Sequence, residues 1–282
     1  MFLPKWDAPD PNGQYYARFG QPGDKILSLY DKRSEPWSFW GEKVPAEFFS
    51  AALVELDHSG GNKFFSAAGR ALLTDLVRLN NTTQGLWKDI TSNPKDLLPK
   101  LQGGISPGLL GAPEQASGVI ASASVEMGFL RNLNYWNQSE DFFSITDWAL
   151  GDSEDWVFLI FKKDEFSATA PLLRLWFDLA VNGVLQRDEN LEYPHLWAVC
   201  DELPSLRQLP SLPSLLSEGR KFKSSLISGY QGREQLIDIY KAEITKSILS
   251  NHQIKFICRI TEHTSATDES KTLGEQDVEE IK

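Results

Sequence analysis

Polar side chains that could act on a nucleotide follow two short apolar runs in the second half of the chain. Leu196-Trp-Ala-Val-Cys200 is too short for a full helix, is typical of a buried parallel strand, and is followed at once by Asp201 and Glu202. A second run, 224–228, leads to Gln231, about one strand-helix-strand unit further on. Because ligands of open α/β sheets bind outside the carboxyl ends of the strands, we expect these side chains to share one edge. Such a set suits nucleotide hydrolysis: Asp holds Mg²⁺, Glu polarises a water and Gln senses the γ-phosphate region.

The same residues also have a plainer interpretation, without chemistry. Asp and Glu are favoured at the start of any helix, where they accept the unpaired N–H groups and suit the helix dipole. Arg220, Lys221 and Lys223 likewise suit a solvated helix end. The combination of Gly219-Arg220-Lys221 with a glutamine at the end of the next strand favours the nucleotide interpretation. We take Lys221 and Lys223 as surface residues.

The elements that must position these residues alternate between strands and helices. Apolar runs predict strands at 26–29, 156–161, 196–200, 224–228 and 254–258, and a helical pattern fills the segment from about 46 to 141. This alternation predicts a mostly parallel, three-layer α/β domain. In residues 1–9, Pro4 and Pro9 argue against a central strand, because proline cannot donate to a sheet ladder. The sequence places Cys200 and Cys258 in buried strands as reduced thiols, and the four histidines lack metal-ligand spacing.

One long run resembles a known family in the identity and order of its residues. Cys200 to Tyr240 reads CDELPSLRQLPSLPSLLSEGRKFKSSLISGYQGREQLIDIY and closely resembles the conjugative coupling proteins of type IV secretion systems, the TraD and TrwB family. The resemblance extends from about residue 10 to the C-terminus and is weakest between about 46 and 140. Its other segments are Asp10-Pro-Asn-Gly13, Ile26-Leu-Ser-Leu-Tyr-Asp31-Lys-Arg33, Trp37-Ser38, Phe143-Ser-Ile-Thr-Asp-Trp148 and Leu273-Gly-Glu-Gln-Asp-Val-Glu-Glu280.

The resemblance implies a fold and a division of the chain. It implies an α/β, RecA-like, mostly parallel three-layer sheet domain, incomplete here, with an inserted all-α domain. Residues 1–45 would form the N-terminal part of the nucleotide-binding domain, 46–141 the helical domain and 142–282 the C-terminal part of the nucleotide-binding domain.

The resemblance also implies a function and roles for the candidate residues. The family is a DNA-dependent homo-hexameric ATPase that recruits relaxase-bound DNA and pumps it to a type IV secretion channel. ATP and Mg²⁺ are its cofactors; DNA, the relaxase and channel components are its partners. Asp201 would hold Mg²⁺ through water, Glu202 would activate the attacking water, Gln231 would sense the nucleotide, and Arg220 would act in trans on a neighbour. Full-length members are anchored in the inner membrane, with this region on the cytoplasmic side.

One part of the family's machinery is missing from the sequence. A P-loop needs G-x-x-x-x-G-K-[ST], and no such run exists here; Gly60-Gly-Asn-Lys63 lacks both the spacing and the Ser/Thr. No run of 18 or more apolar residues and no signal peptide pattern occurs either. We therefore expect a truncated coupling protein, without membrane helices, that neither holds ATP and Mg²⁺ nor hydrolyses ATP by itself. The alternative is a non-catalytic protein or decayed gene product that binds secretion partners through its helical domain.

The charge balance is unusual for a protein that handles DNA. The chain carries 28 basic and 39 acidic residues, a net charge of −11. A general DNA-coating protein should be basic, since neutralisation of phosphates drives non-specific affinity. A ring-shaped motor needs positive charge only where the DNA passes through it. Arg220, Lys221 and Lys223 form one local basic cluster that could meet this need. The composition therefore argues against a DNA-coating protein and leaves a motor open.

Overall fold

A computed structural model describes residues 2–3, 20–54, 63–111, 113–138, 141–161, 165–258, 266–267 and 270–271. These residues form one parallel sheet, a set of α-helices and several short 3-10 turns. The strands are β1 (Phe2–Leu3), β2 (Lys25–Leu27), β3 (Val157–Leu159), β4 (Leu196–Cys200) and β5 (Ser224–Ser228). The helices are α1 (Ala46–Leu53), α2 (Lys63–Leu79), α3 (Thr83–Ile90), α4 (Pro94–Leu97), α5 (Pro113–Glu126), α6 (Ile145–Leu150), α7 (Phe166–Leu185), α8 (Leu212–Glu218) and α9 (Arg233–Asn251).

The sheet has the order β2-β3-β1-β4-β5, and each of its pairings is parallel. Parallel neighbours cannot be joined by a tight turn, so the helices between them serve as crossovers. The expected parallel α/β fold is confirmed. Strands β3, β4 and β5 lie within the runs predicted from the sequence, and β2 begins one residue before its run; β2 and β3 each contain only three residues.

The prediction against a strand in residues 1–9 was wrong. β1 lies in the middle of the sheet, where Phe2 is in register with Phe158 on one side and with Val199 on the other. Proline removes only its own N–H, and Pro4 follows the two residues that pair. The proline argument therefore limits the length of this strand and does not exclude it. Asp10-Pro-Asn-Gly13 lies outside the described residues.

One continuous apolar core joins the helices to one face of the sheet. Leu27, Leu159 and Cys200 contribute from the strands, and α7 contributes side chains from nearly its whole length. The opposite face of the sheet carries a separate small cluster of Ile26, Phe158 and Ile160. The sheet thus packs mainly through the side that meets α7. None of the described helices is long and apolar enough to span a bilayer.

The helical segment follows its sequence pattern closely. Ala68, Leu72 and Leu76 of α2 are buried, as are Val119, Ile120 and Ala123 of α5. Phe65 and Leu79, expected on the same stripe of α2, lie near its two ends and are exposed. Helix starts are set by caps: the Thr82 hydroxyl accepts from Gly85 N, and Asn93 caps α4 ahead of a proline in its first turn. Because the core is continuous with that of the sheet, the division at 46 and 141 stays a prediction.

A buried carboxylate joins the chain before the helical segment to the chain that follows it. Glu42, just before α1, accepts hydrogen bonds from Trp37 Nε1 at 2.8 Å and from the backbone N–H of Ile145 at 2.8 Å. Its second oxygen accepts from Ser144 Oγ at 3.0 Å and from Thr146 N at 3.1 Å. Glu42 therefore holds the N-terminus of α6 next to the start of the helical segment. A helix N-terminus favours a carboxylate, because its free N–H groups donate hydrogen bonds and its dipole is positive there.

The predicted strand at 254–258 is absent, and Cys258 is exposed rather than buried. Lys241 breaks α9 with φ 65° and ψ 162°, so the second half of the helix turns away from the direction of the first half. The chain then returns to the carboxyl end of β5, where His252 Nε2 lies 2.9 Å from Ser228 Oγ. A strand over 254–258 that paired with β5 would therefore run antiparallel to it, unlike each observed pairing in the sheet. Its apolar residues are left exposed, Phe256 at 91%.

We predict that Glu42→Gln lowers the free energy of unfolding by roughly 2–4 kcal/mol, because an amide NH₂ would face N–H donors that need an acceptor. Chemical denaturation followed by circular dichroism measures this change. Glu47→Gln is the matched control: Glu47 forms a surface ion pair with Arg78, and its loss should cost less than about 1 kcal/mol. Equal effects of the two substitutions would contradict the role assigned to Glu42.

Candidate functional site

The predicted side chains meet where β4 and β5 end. Cys200 and Ser228 are in register as the last residues of the two strands. Asp201 and Glu202 follow one strand, and Gln231 follows the other three residues later. The carboxyl ends of parallel strands lie at the same edge, so both loops emerge together. The expected adjacency of these strand ends is confirmed.

A direct hydrogen bond links the two loops. Gln231 Nε2 donates to Glu202 Oε2 at 3.0 Å, although the residues are 29 positions apart in the sequence. The backbone N–H of Gln231 donates to Gln235 Oε1 at 3.2 Å, which orients the start of α9. Asp201 and Gln231 are exposed and Glu202 is half-buried. The three groups therefore stand at an accessible polar edge, with an amide beside a carboxylate.

Backbone contacts fix the spacing of the two loops. Gly229 N donates to Cys200 O at 2.8 Å, and Leu203 N donates to Gly229 O at 2.9 Å. A Cβ at position 229 would collide with the carbonyl oxygen of Asp201, so only glycine permits this approach. Cys200 itself is a packing residue, because complete burial raises the pKa of its thiol to about 12.

The loop that carries Glu202 is anchored from α9. The Tyr240 hydroxyl donates to Arg207 O at 3.1 Å and accepts from Leu209 N at 3.1 Å, and the ring is buried. Arg207 adopts φ 57° and ψ −148°, a conformation that a non-glycine residue rarely takes. The tyrosine therefore holds a strained stretch of backbone next to the candidate site.

Arg220 lies away from these residues. It belongs to the 3-10 turn Gly219–Phe222 that precedes β5, so it stands at the amino edge of the sheet. The length of β5 separates the two edges by roughly 16 Å. Lys221 pairs with Glu189 at 2.8 Å and Lys223 with Glu192 at 3.6 Å. Both lysines are thus occupied surface residues, whereas Arg220 is exposed and forms no ion pair with any other residue that the structure describes.

The donor set matches part of a magnesium-nucleotide site. Mg²⁺ is usually held by one or two carboxylates together with phosphate oxygens and waters, and Asp201 and Glu202 supply the carboxylates. Within the described ranges, no group of three or more His, Cys, Asp or Glu side chains is arranged to hold a metal ion alone. The carboxylates fit the protein's share of the site, while the sequence has no G-x-x-x-x-G-K-[ST] cradle for the phosphates.

The parallel sheet with acidic and amide groups at its carboxyl edge defines an α/β fold of the nucleotide-binding class. The chain belongs to the family of type IV secretion-system coupling proteins, because the model of that family's DNA-binding domain matches residues 9–282. The expected family is therefore confirmed.

Individual relatives agree with this membership. The coupling protein TraD of Escherichia coli (strain K12) is 26% identical over an alignment of 283 residues, which covers 95% of this chain and 39% of TraD. The bacterial conjugative coupling protein TrwBdeltaN70, in its unbound monoclinic form, is 25% identical with a TM-score of 0.74. The match covers 85% of this chain and 58% of that structure. TrwB in complex with ADP and Mg²⁺ gives the same TM-score. The chain thus spans well under two thirds of each relative.

Sequence reasoning missed the residues that hold the candidate site together. Gly229 had a signal, since a glycine directly after a strand often marks a close backbone approach. Tyr240 had none, because its partners lie 31 and 33 positions upstream and only the fold brings them together. The catalytic and sensing roles of Asp201, Glu202, Gln231 and Arg220 stay predictions.

We predict that Gly229→Ala destabilises the protein by roughly 1–3 kcal/mol, because the new methyl group must push Asp201 away. The same shift should separate Glu202 from Gln231. Thermal unfolding and a crystal structure of the variant measure both effects. Gly108→Ala is the control, because a Cβ there meets nothing within 4 Å. A Gly229→Ala variant as stable as the control, with the Glu202 to Gln231 contact intact, would refute the packing argument.

Proposed function

We propose that this chain supplies the catalytic and sensing half of the nucleotide site in a type IV coupling protein that moves relaxase-bound DNA towards a secretion channel. The observation that carries the proposal is the hydrogen bond between Gln231 and Glu202 across two strand ends. Solved structures of the relative TrwB, in complex with ADP and Mg²⁺ and with a non-hydrolysable ATP analogue, support a nucleotide at this fold. DNA, the relaxase and channel components are the proposed partners, and the region would lie on the cytoplasmic side of the membrane.

Each side chain has a role that its position permits. Glu202, half-buried and oriented by Gln231, would accept a proton from the attacking water. Asp201, exposed at the strand end, would hold Mg²⁺ through a water; the ion would neutralise charge on the phosphates. Gln231 would transmit the state of the γ-phosphate to α9 through its contact with Gln235.

The position of Arg220 requires a neighbouring subunit. At the amino edge it cannot reach the carboxylates of its own chain, so it would act on nucleotide held by the next subunit of a hexamer. An arginine delivered in this way stabilises charge in the transition state of phosphoryl transfer.

The missing phosphate cradle favours a second candidate, a non-catalytic protein that binds secretion partners through its helical segment. Both candidates predict no ATP turnover by the isolated chain. They differ once a P-loop is supplied.

We therefore predict the behaviour of a chimaera in which this chain replaces the matching region of TrwB. The chimaera should hydrolyse ATP, and Glu202→Gln should lower its turnover by roughly a hundredfold or more, because the general base is lost. Arg220→Ala should cost roughly a thousandfold. Lys221→Ala is the control and should leave turnover unchanged, since Lys221 contacts Glu189 and the Phe222 ring at the surface, away from the candidate site.

Mixed subunits test the action in trans. Mixing Arg220→Ala with Glu202→Gln subunits should restore part of the turnover, because some interfaces then combine an intact Glu202 with an intact Arg220. A chimaera that binds ADP but never hydrolyses ATP would favour the non-catalytic candidate. Full turnover in Glu202→Gln would refute the proposed role of that residue.

A further inference from the structure

A cleft opens at the amino edge of the sheet, at the opposite end of β4 from the candidate nucleotide site. Its volume is about 270 Å³. Its lining includes three kinds of side chain, acidic, basic and aromatic: Glu154, Asp155, Trp156, Arg187, His195 and Trp197. None of them has a role in the function proposed above.

Large aromatic rings line this cleft and remain accessible. Trp156, directly before β3, is 38% exposed, and Trp197 in β4 is 45% exposed. The ring of His195 lies against that of Trp197, with centroids 4.7 Å apart. The indole of Trp148 donates to Asp155 O at 3.2 Å, which fixes the acidic side of the cleft to α6. Among the aromatic side chains, tryptophan presents the face that attracts cations most strongly.

The accessible charge at the cleft is negative. Glu154 is exposed, Asp155 is half-buried beside it, and Asp152 is exposed two residues earlier. The two nearby lysines, Lys221 and Lys223, are engaged by Glu189 and Glu192. An anionic ligand such as a nucleic acid strand would meet these carboxylates, whereas a cation would be attracted by them.

The basic side chain in the wall of the cleft, Arg187, has a structural role. Arg187 is buried and donates to the carbonyls of Ala149 at 2.9 Å, Pro194 at 3.0 Å, Phe222 at 3.3 Å and Gly151 at 3.4 Å. Its guanidinium is therefore a structural tie between α6, the start of β4 and the turn before β5. Burial, together with the charges of Arg187 and Lys223, lowers the pKa of His195, so its ring is neutral at pH 7.

We propose that this cleft binds an arginine side chain on a basic segment of a partner protein. The guanidinium would stack on the accessible ring of Trp197, and Glu154 would accept its hydrogen bonds. Arginine fits better than lysine, because its planar group stacks on an aromatic face while its N–H groups pair with a carboxylate. The site is independent of the nucleotide edge and of ATP hydrolysis.

Titration of the whole isotope-labelled chain with acetyl-Gly-Arg-Gly-Arg-Gly-Arg-amide tests the proposal. The chain has nine tryptophans, whose indole N–H signals can be followed by NMR and assigned by substitution. The signals of Trp156 and Trp197 should shift, and the matched citrulline peptide, which lacks the charge, should bind at least roughly tenfold more weakly. Trp197→Ala should weaken binding of the arginine peptide roughly tenfold, and Glu154→Gln roughly threefold.

A control variant and a second test variant make the result decisive. Glu243→Gln removes an exposed carboxylate on α9, far from the cleft, and should leave the affinity unchanged. Glu154→Gln alters only an exposed side chain, so it reports on the site even if Trp197→Ala disturbs the fold. Equal binding of the citrulline peptide, unchanged affinity in Glu154→Gln, or stronger shifts of the same signals by a short oligodeoxythymidine strand would overturn the proposal.

Discussion

Glu42 connects the beginning and the end of the long segment that lies between β2 and β3. Its carboxylate accepts four hydrogen bonds, from Trp37 on one side and from the start of α6 on the other. Phe143 N also donates to Pro36 O at 2.8 Å, and the rings of Trp37 and Trp176 meet edge to face at 5.9 Å. Because these contacts bring the two ends of the segment together, β2 and β3 can pair in parallel although about 130 residues lie between them. The order of the sheet, and hence the location of the candidate nucleotide edge and of the cleft, depends on these contacts.

The order of the sheet in turn explains the separation of the candidate residues. Parallel pairing of β4 and β5 delivers Glu202 and Gln231 to one edge and leaves Arg220 at the other. A single chain therefore has the Glu202 carboxylate and the Gln231 amide in contact, but its Arg220 is out of their reach. An assembly in which one subunit's amino edge faces its neighbour's carboxyl edge would bring the two halves together, which is why we assign Arg220 a role in trans. The chain spans less than two thirds of the length of these relatives.

The sequence predicted those elements whose signals are local. Two-sided apolar runs marked β3 and β4, and the strand-end rule placed Asp201, Glu202 and Gln231 at one edge. The failures have non-local causes. Phe2–Leu3 forms a central strand because its neighbours β3 and β4 lie on both sides of it, which no property of nine residues reveals. The run 254–258 has a strand's composition, but it forms no strand and its apolar side chains are exposed. The roles of Tyr240 and Glu42 could not be predicted from the sequence, because the partners of Tyr240 lie 31 and 33 positions away and three of the four partners of Glu42 lie 102 to 104 positions away.

The central claim is that Glu202 and Gln231 act as one unit on a bound nucleotide. A double-mutant cycle on ATP turnover in the TrwB chimaera, with Glu202→Gln, Gln231→Ala and the double variant, tests it most directly. Residues that act as a unit give strongly non-additive losses. The account predicts that the double variant is no slower than Glu202→Gln alone. Losses that multiply, as expected of two independent groups, would contradict it.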